Sequence, residues 1–428
     1  MTGYKRGALI LRNTNFIVLF LLTICLDATP ATKTIKFGRL WDGHQVLNNA
    51  IVVVEGDKIR SVTANGTISP AAETIDLSGY TAIPGMIDMH THVTYYWEGD
   101  TSIDARRQKR RREAVTVVLS QRNGMKALEA GVTTLRDLNA ANGADIDLRD
   151  LINMGALVGP RLFVSGSGLH GLPKIPEMRD KIAEQIKQTK ERLGEGVDWI
   201  KIFGSTGGFD NVTGDETVSY DEMKAIVDTA HAGGLKVAIH SYGPVGARDA
   251  IRAGCDTLEH ATDMDDESIA EMVRKKIWYV PTIDHNEYYV ENASTTYKFP
   301  PGAVDNLKDY INRNFITAQK AFKAGARMLV GSDAVYNGFG LNMRELTWFV
   351  KMGMSNEQAL QTATTSAAEA LGMQQSLGSV APGYFADIVA VQGDPLSDIQ
   401  VVLNNVRWVM KGGTVVVDKT GTSNLRTQ

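Results

Sequence analysis

The sequence predicts an α/β protein: a parallel (β/α)8, TIM-like barrel joined to a small β-sandwich built from both chain ends. Three observations predict it. Between about residues 86 and 373, short apolar runs of β type alternate with stretches of helical period. Several of those runs close on a polar side chain, and the carboxyl ends of parallel strands are where a barrel of this class gathers its chemistry. Short alternating segments bounded by turns occupy both ends of the chain. At 428 residues the chain is long enough to bury a full barrel core and still carry a second, smaller domain.

Taken in order, residues 1–31 read as an export signal. Lys5, Arg6 and Arg12 precede an apolar stretch at 16–26, too short to span a bilayer comfortably, and small residues follow at 28–32. The expectation is cleavage near Ala31 and a secreted or periplasmic product with no stable membrane anchor; an uncleaved anchor and lipid attachment at Cys25 are the alternatives. Cleavage would leave Cys255 as the sole cysteine, so no disulfide can form within one chain. Alternating segments follow at 35–37, 51–54, 59–62, 74–77 and 81–83, with turns at Gly56-Asp57 and Asn65-Gly66. The tail echoes them at 386–391, 406–410 and 414–417. Residues 32–85 plus 374–428 are therefore expected to form one discontinuous β-sandwich, with 86–373 as the barrel.

Within 86–373 the run ending at His90 is the first unit. Helical periods at 111–130, 181–193, 221–233, 245–253, 266–276 and 305–324 lead to strands at 132–135, 199–203, 237–240, 257–260, 278–282 and 328–333, with a further strand at 161–164. That makes eight β units, a count that favours a closed barrel over an open sheet.

A formal net charge of −4 gives no general attraction to nucleic acid or to an anionic membrane. The basic run at 106–112 carries no interleaved aromatic residues and reads as a solvated helix face or a subunit contact. The tripeptides beginning at Asn65, Asn211 and Asn292 are glycosylation acceptors only if the source is eukaryotic.

The chemistry sits at the strand ends. His90 and His92 are two apart on a strand and leave the same face, so both can reach one cation. His240 and His260 close two further runs, and Asp333 closes the last. The chain has only 8 histidines, and chance would rarely put four of them at these positions. Lys201 is the unusual member, because an ammonium is repelled by a dication. Either it meets a substrate carboxylate or forms a Schiff base, or it is carboxylated by carbon dioxide. The carbamate is anionic, and its two oxygens can bridge two metals about 3.5–4 Å apart. Asp333 can take a proton from an attacking water and pass it to the leaving group, or simply cap the helix that would start at Ala334. The small residues Gly331-Ser332 before it are expected to let a substrate approach.

On these residues the chain resembles the amidohydrolase superfamily, of the binuclear metal type with a carboxylated lysine. The resemblance also covers 83–92, 250–260, 366–372 and 378–395. It is strongest to the Xaa-Pro dipeptidase (prolidase-like) and ochratoxinase branch, through Trp199-Ile200-Lys201-Ile202 and His240-Ser241-Tyr242-Gly243. It implies two zinc ions per chain, with His90, His92 and Asp333 on the more buried ion, His240 and His260 on the other, and Lys201 as N6-carboxylysine bridging both. It further implies attack by a metal-bridging hydroxide on an amide, with release of a C-terminal amino acid from an Xaa-Pro dipeptide or an ochratoxin-type N-acyl amino acid, and a homo-oligomer.

Tyr242, two residues past His240, and His170, in the loop after the third strand, are the candidates to meet a free substrate carboxylate. Tyr95, Tyr96, Trp97, Tyr288 and Tyr289 either wall an apolar acyl pocket or pack within loops and between subunits. A lactonase, esterase or cyclic-amide hydrolase on the same scaffold is the alternative enzyme, and a catalytically dead binding scaffold the alternative to an enzyme.

Overall fold

The computed structural model describes residues 32–66, 73–96, 113–207, 214–300 and 302–421. The expected export signal (1–31), the basic run (106–112), Trp97, the tripeptide at 211–213 and the last residue of that at 65–67 lie outside the described residues.

Alternating burial builds the first four strands, β1 (Thr32–Trp41), β2 (Val46–Glu55), β3 (Lys58–Ala64) and β4 (Glu73–Pro84). Two separate segments were expected at 74–77 and 81–83, but they form one strand, accommodated by a register shift between Phe37 and Arg39 on β1. Glycine is required at the shift: a Cβ on Gly38 would stand 2.2 Å from the Ser78 carbonyl oxygen.

The parallel strands follow: β5 (Met86–Thr91), β6 (Val132–Asp137), β7 (Arg161–Val164), β8 (Trp199–Phe203), β9 (Lys236–Ser241), β10 (Thr257–His260), β11 (Trp278–Val280) and β12 (Arg327–Met328). The last three are β13 (Ile388–Val391), β14 (Val406–Lys411) and β15 (Thr414–Asp418). Two of the parallel strands are shorter than expected. β11 stops at Val280 because Pro281 has no N–H to give the ladder and Thr282 turns left-handed, with φ +51°. β12 has two residues, yet the chain beyond it stays bonded to β5: Met89 N–H donates to Val330 at 3.0 Å and Asp333 N–H to His90 at 2.8 Å.

Helices α1 (Glu113–Glu129), α2 (Ala144–Asn153), α3 (Met178–Gly194), α4 (Tyr220–Ala232), α5 (Pro244–Ala253), α6 (Asp266–Arg274), α7 (Ile283–Glu291) and α8 (Ala303–Lys323) alternate with these strands, and α9 (Glu345–Met352) follows β12. This is an α/β fold on parallel strands. One sheet has the order β5-β6-β7 and the other β12-β11-β10-β9-β8. Hydrogen bonds also join their outer edges. Leu169 donates to Lys201 and accepts from Phe203, both at 2.8 Å, beside β7, while Thr91 bridges to Ala334 beside β5.

Strands from both chain ends share one seven-stranded sheet, in the order β15-β14-β13-β4-β1-β2-β3. Its two faces serve different cores. Ile388 and Ala390 pack with Phe37, Leu77 and Trp408, whereas Val389, Val391 and Val409 pack with Leu128 and Val132 of the α/β body. Among the described residues no helix is long and apolar enough to cross a membrane.

Candidate metal centre

Every residue of β5 is buried, and alternation sends Asp88, His90 and His92 to one face. Asp88 ties this strand to the segment that carries Asp333. Its Oδ1 accepts from the backbone N–H groups of His90 (3.1 Å) and Ser332 (3.0 Å), and Oδ2 accepts from Asn342 (2.8 Å) and the Ser332 hydroxyl. Burial pushes the Asp88 carboxyl up to about 6 against those four donors.

Behind His90 lies a buried charge pair. His90 Nδ1 is 2.7 Å from Glu259 Oε2, and Glu259 Oε1 accepts from Arg136 Nη2 at 2.9 Å; all three side chains are 0% exposed. Burial opposes ionisation of Glu259, but Arg136 and His90 hold it at about 2. A carboxylate there makes Nδ1 the protonated nitrogen of His90, which leaves the Nε2 lone pair for the centre. That Nε2 makes no hydrogen bond among the described residues.

The remaining strand ends converge on the same place. The rings of His90 and His260 are 4.9 Å apart and those of His240 and His260 are 4.5 Å apart. His260 Nδ1 is 2.6 Å from the Thr282 hydroxyl. Asp333 Oδ1 lies 3.0 Å from His92 Nε2 and 3.5 Å from His90 Nε2. His260 (φ +74°) and Asp333 (φ +49°) both take the left-handed conformation that L-residues avoid, so the fold spends backbone strain to aim them.

Electrostatics favour metal binding. Burial, with the Lys201 ammonium second, lowers His90 to about 4 and drives His240 well below its ordinary value; burial and His240 do the same to His260. These imidazoles are neutral at pH 7, the form that ligates. Burial also opposes the charge on Asp333, yet His285, His90 and His92 hold its carboxyl well below the usual range. Lys201 is 1% exposed, and its Nζ makes no hydrogen bond among the described residues. Burial brings it down to about 8 against the pull of Glu259 and Asp333, so part of the amine is neutral and able to take up carbon dioxide. Three buried nitrogens without partners (His90 Nε2, His92 Nδ1 and Lys201 Nζ) beside a carboxylate fit a divalent cation taking N and O ligands. His90, His260 and Asp333 by themselves offer three ligand atoms within 4.8 Å of one another.

The structure thus places the four histidines and Asp333 side by side, with the Lys201 charge acting on His90, His240 and His260. Tyr242 joins them: its ring lies 4.9 Å from that of His240 and stacks on His260 at 5.0 Å. His170 sits further out, stacked on Phe203 at 4.5 Å, and Phe203 is 5.4 Å from His240. Among the aromatic candidates, Tyr95 stacks on His92 at 4.8 Å and Tyr289 meets His285 at 4.7 Å. Tyr96 instead turns to Arg122, and Tyr288 packs on Tyr289 and Tyr297. Gly331 does not open a path for substrate, as its small size had suggested. A Cβ there would stand 2.3 Å from Val280 Cγ1 and 2.8 Å from His90 Cβ, so it makes room for the neighbouring strands, while the Ser332 hydroxyl is spent on Asp88.

His285 also stands at the site, and strand periodicity does not point to it. It lies in the first turn of α7, with Nε2 3.4 Å from Asp333 Oδ2. Its sequence signal is a histidine shortly past the seventh strand, and it closes no apolar run. Arg136 and Glu259 were missed for a different reason, since charged residues inside buried strands look like breaks in an apolar pattern.

Parallel strands that gather histidines, a buried lysine and an aspartate at their carboxyl ends form the site of a hydrolase. The profile of the amidohydrolase family matches residues 81–416, and the chain belongs to that family. It is 28% identical over 366 residues to the ochratoxinase of Aspergillus niger, covering 77% of this chain and 74% of the relative. Its structure is similar to that of a Xaa-Pro dipeptidase with bound methionine, at a TM-score of 0.80 and 30% identity, covering 90% of this chain and 99% of that one. A prolidase complexed with N-methylphosphonate-L-proline gives a TM-score of 0.80 at 27% identity, covering 91% of this chain and all (100%) of the other.

Proposed function

We propose that this protein is a zinc-dependent amidohydrolase that cleaves an amide bond to release a C-terminal amino acid, from an Xaa-Pro dipeptide or from an N-acyl amino acid of the ochratoxin type. The observation that carries the reading is the buried Lys201 amine, without a hydrogen-bond partner among the described residues, beside neutral histidines and Asp333. Carboxylation turns it into a bidentate anion and explains why a lysine stands where cations would otherwise repel it. His90, His92 and Asp333 would hold one ion, His240 and His260 the other, with carboxylated Lys201 between them. Bound there, divalent ions acidify water and polarise a carbonyl. Tyr242, beside His240, and His170, beyond Phe203, meet the substrate carboxylate. Asp333 takes the proton from the attacking water and hands it to the nitrogen as the C–N bond breaks.

The same reading takes the eight parallel strands as a closed barrel, supported by the bonds that join both outer edges of the two sheets. It takes the seven-stranded sheet as a sandwich curled on itself, supported by the contact of Phe37 with Trp408 at 6.4 Å across two intervening strands.

The test is a hydrolysis panel on zinc-loaded protein: Xaa-Pro dipeptides and N-acyl amino acids, each beside its methyl ester. Strong preference for the free acids is expected. Turnover of esters and lactones alone would keep the centre and overturn the substrate assignment. Less than about one zinc per chain after loading would leave a binding scaffold instead of an enzyme.

A further inference from the structure

We infer that His285 is a positioning residue of this centre, holding the backbone and the outer carboxylate oxygen of Asp333 so that the proton it carries is presented to the leaving nitrogen. The inference rests on the amidase reading above and adds to it a residue that reading does not use.

The two oxygens of Asp333 have different neighbours. Oδ1 faces the pair His92 and His90, at 3.0 and 3.5 Å, which is the side expected to hold a cation. Oδ2 faces His285 Nε2 at 3.4 Å and His260 Nδ1 at 3.9 Å. The Asp333 backbone also lies near enough to the His285 ring to act on it electrostatically. That nearness matters because Asp333 is held at φ +49°, a conformation strained for a residue with a Cβ. Released, Oδ2 would lose its fixed place, and in the metal-free protein the segment would relax, while Oδ1 keeps its side towards His92 and His90.

His285 is itself fixed. It lies on the first turn of α7, where the fully buried Glu345 carboxylate accepts from the N–H groups of Ile283 (2.9 Å) and Asp284 (2.8 Å). These are donors that a helix start would otherwise leave unpaired. The residue before the helix, Thr282, is held at φ +51° and puts its hydroxyl 2.6 Å from His260 Nδ1. One four-residue turn therefore reaches two members of the cluster on different strands, His260 through Thr282 and Asp333 through His285. The role needs the geometry of the ring and no change in its charge.

The experiment compares wild type, His285→Ala and His285→Gln on two substrates with one acyl group, an alkyl amide and a p-nitrophenyl ester. The amide nitrogen must be protonated to leave and the phenolate need not be. His285→Ala should lose about 100-fold in kcat on the amide and about 10-fold on the ester, which needs Asp333 to take the proton from water but not to deliver it, with KM and zinc content unchanged. His285→Gln, which restores a donor at similar reach, should recover part of the amide rate. Equal losses on both substrates, or zinc content falling with the rate, would overturn the assignment and leave His285 a structural or ligating residue. Crystal structures of the metal-free proteins give a readout independent of activity. Asp333 should leave its left-handed conformation in His285→Ala; if it stays, the assignment fails even where rates fall. Wild type inactive on both substrates would instead refute the amidase reading, and the metal-free structures would still decide the role of His285.

Discussion

Replacing Glu259 by glutamine tests whether the pair behind His90 sets the chemistry of the centre. Glu259 has two acceptor oxygens and gives one to Arg136 and the other to His90. A glutamine has one acceptor and one NH2, and cannot serve two donors. If its oxygen stays on Arg136, the NH2 faces His90 Nδ1, which must then become the acceptor. The ring proton moves to Nε2, and His90 can no longer ligate. If the amide flips, NH2 meets a buried guanidinium. Zinc affinity should fall about 10–100-fold, the usual cost of losing the partner of a ligating histidine. Stability changes too. Holding Glu259 at about 2 instead of 4.5 corresponds to about 3 kcal/mol of native-state stabilisation at neutral pH. Because the folded value is depressed, that contribution is present above pH 4.5 and is lost as pH falls towards 2. For 428 residues, about 3 kcal/mol is about 4 °C in Tm for the metal-free protein. The assays are competitive zinc titration at pH 7 and thermal melts of the apoprotein at pH 7, where the contribution is full, and below pH 4.5, where it fades. A Glu259→Gln protein that binds zinc and melts like wild type would refute the claim that this carboxylate fixes the His90 tautomer.

Lys201→Ala should lose zinc and activity together, and a short carboxylic acid supplied in solution should restore part of both; zinc content measured with and without added acid reads this out. Asp333→Asn should cost about 1,000-fold or more in turnover while the circular dichroism spectrum is unchanged, because proton transfer is lost and the fold is not. Gly331→Ala should destabilise by about 1–3 kcal/mol and weaken zinc binding, because the new methyl enters space held by Val280 and the His90 Cβ; chemical denaturation and zinc titration measure the two effects.

Much of this was legible in the sequence. An apolar run interrupted by histidine at its carboxyl end is a local pattern, so His90, His240 and His260 could be read from strand periodicity alone, and Lys201 and Asp333 by the same logic. His285 sits on a helix, and only the tertiary fold brings that helix turn against Asp333. The purpose of Gly331 was equally hidden, since the side chains that crowd it belong to β5 and β11 and not to its own segment. The joining of 74–77 and 81–83 into one strand depends on a bulge in its partner β1, which no periodicity within β4 records.

The central position of β4 governs how the chain can be made. β4 is flanked by β1, synthesised before it, and by β13, where Ile83 pairs with Val389 and Ala82 with Ala390. Until Ile388–Val391 leaves the ribosome, β4 presents an open, apolar edge with its N–H and C=O groups unpaired, the kind of edge on which other chains add. A nascent or prematurely terminated chain lacking Ile388–Val391 would thus carry its candidate metal ligands intact and still be a substrate for chaperones and proteases.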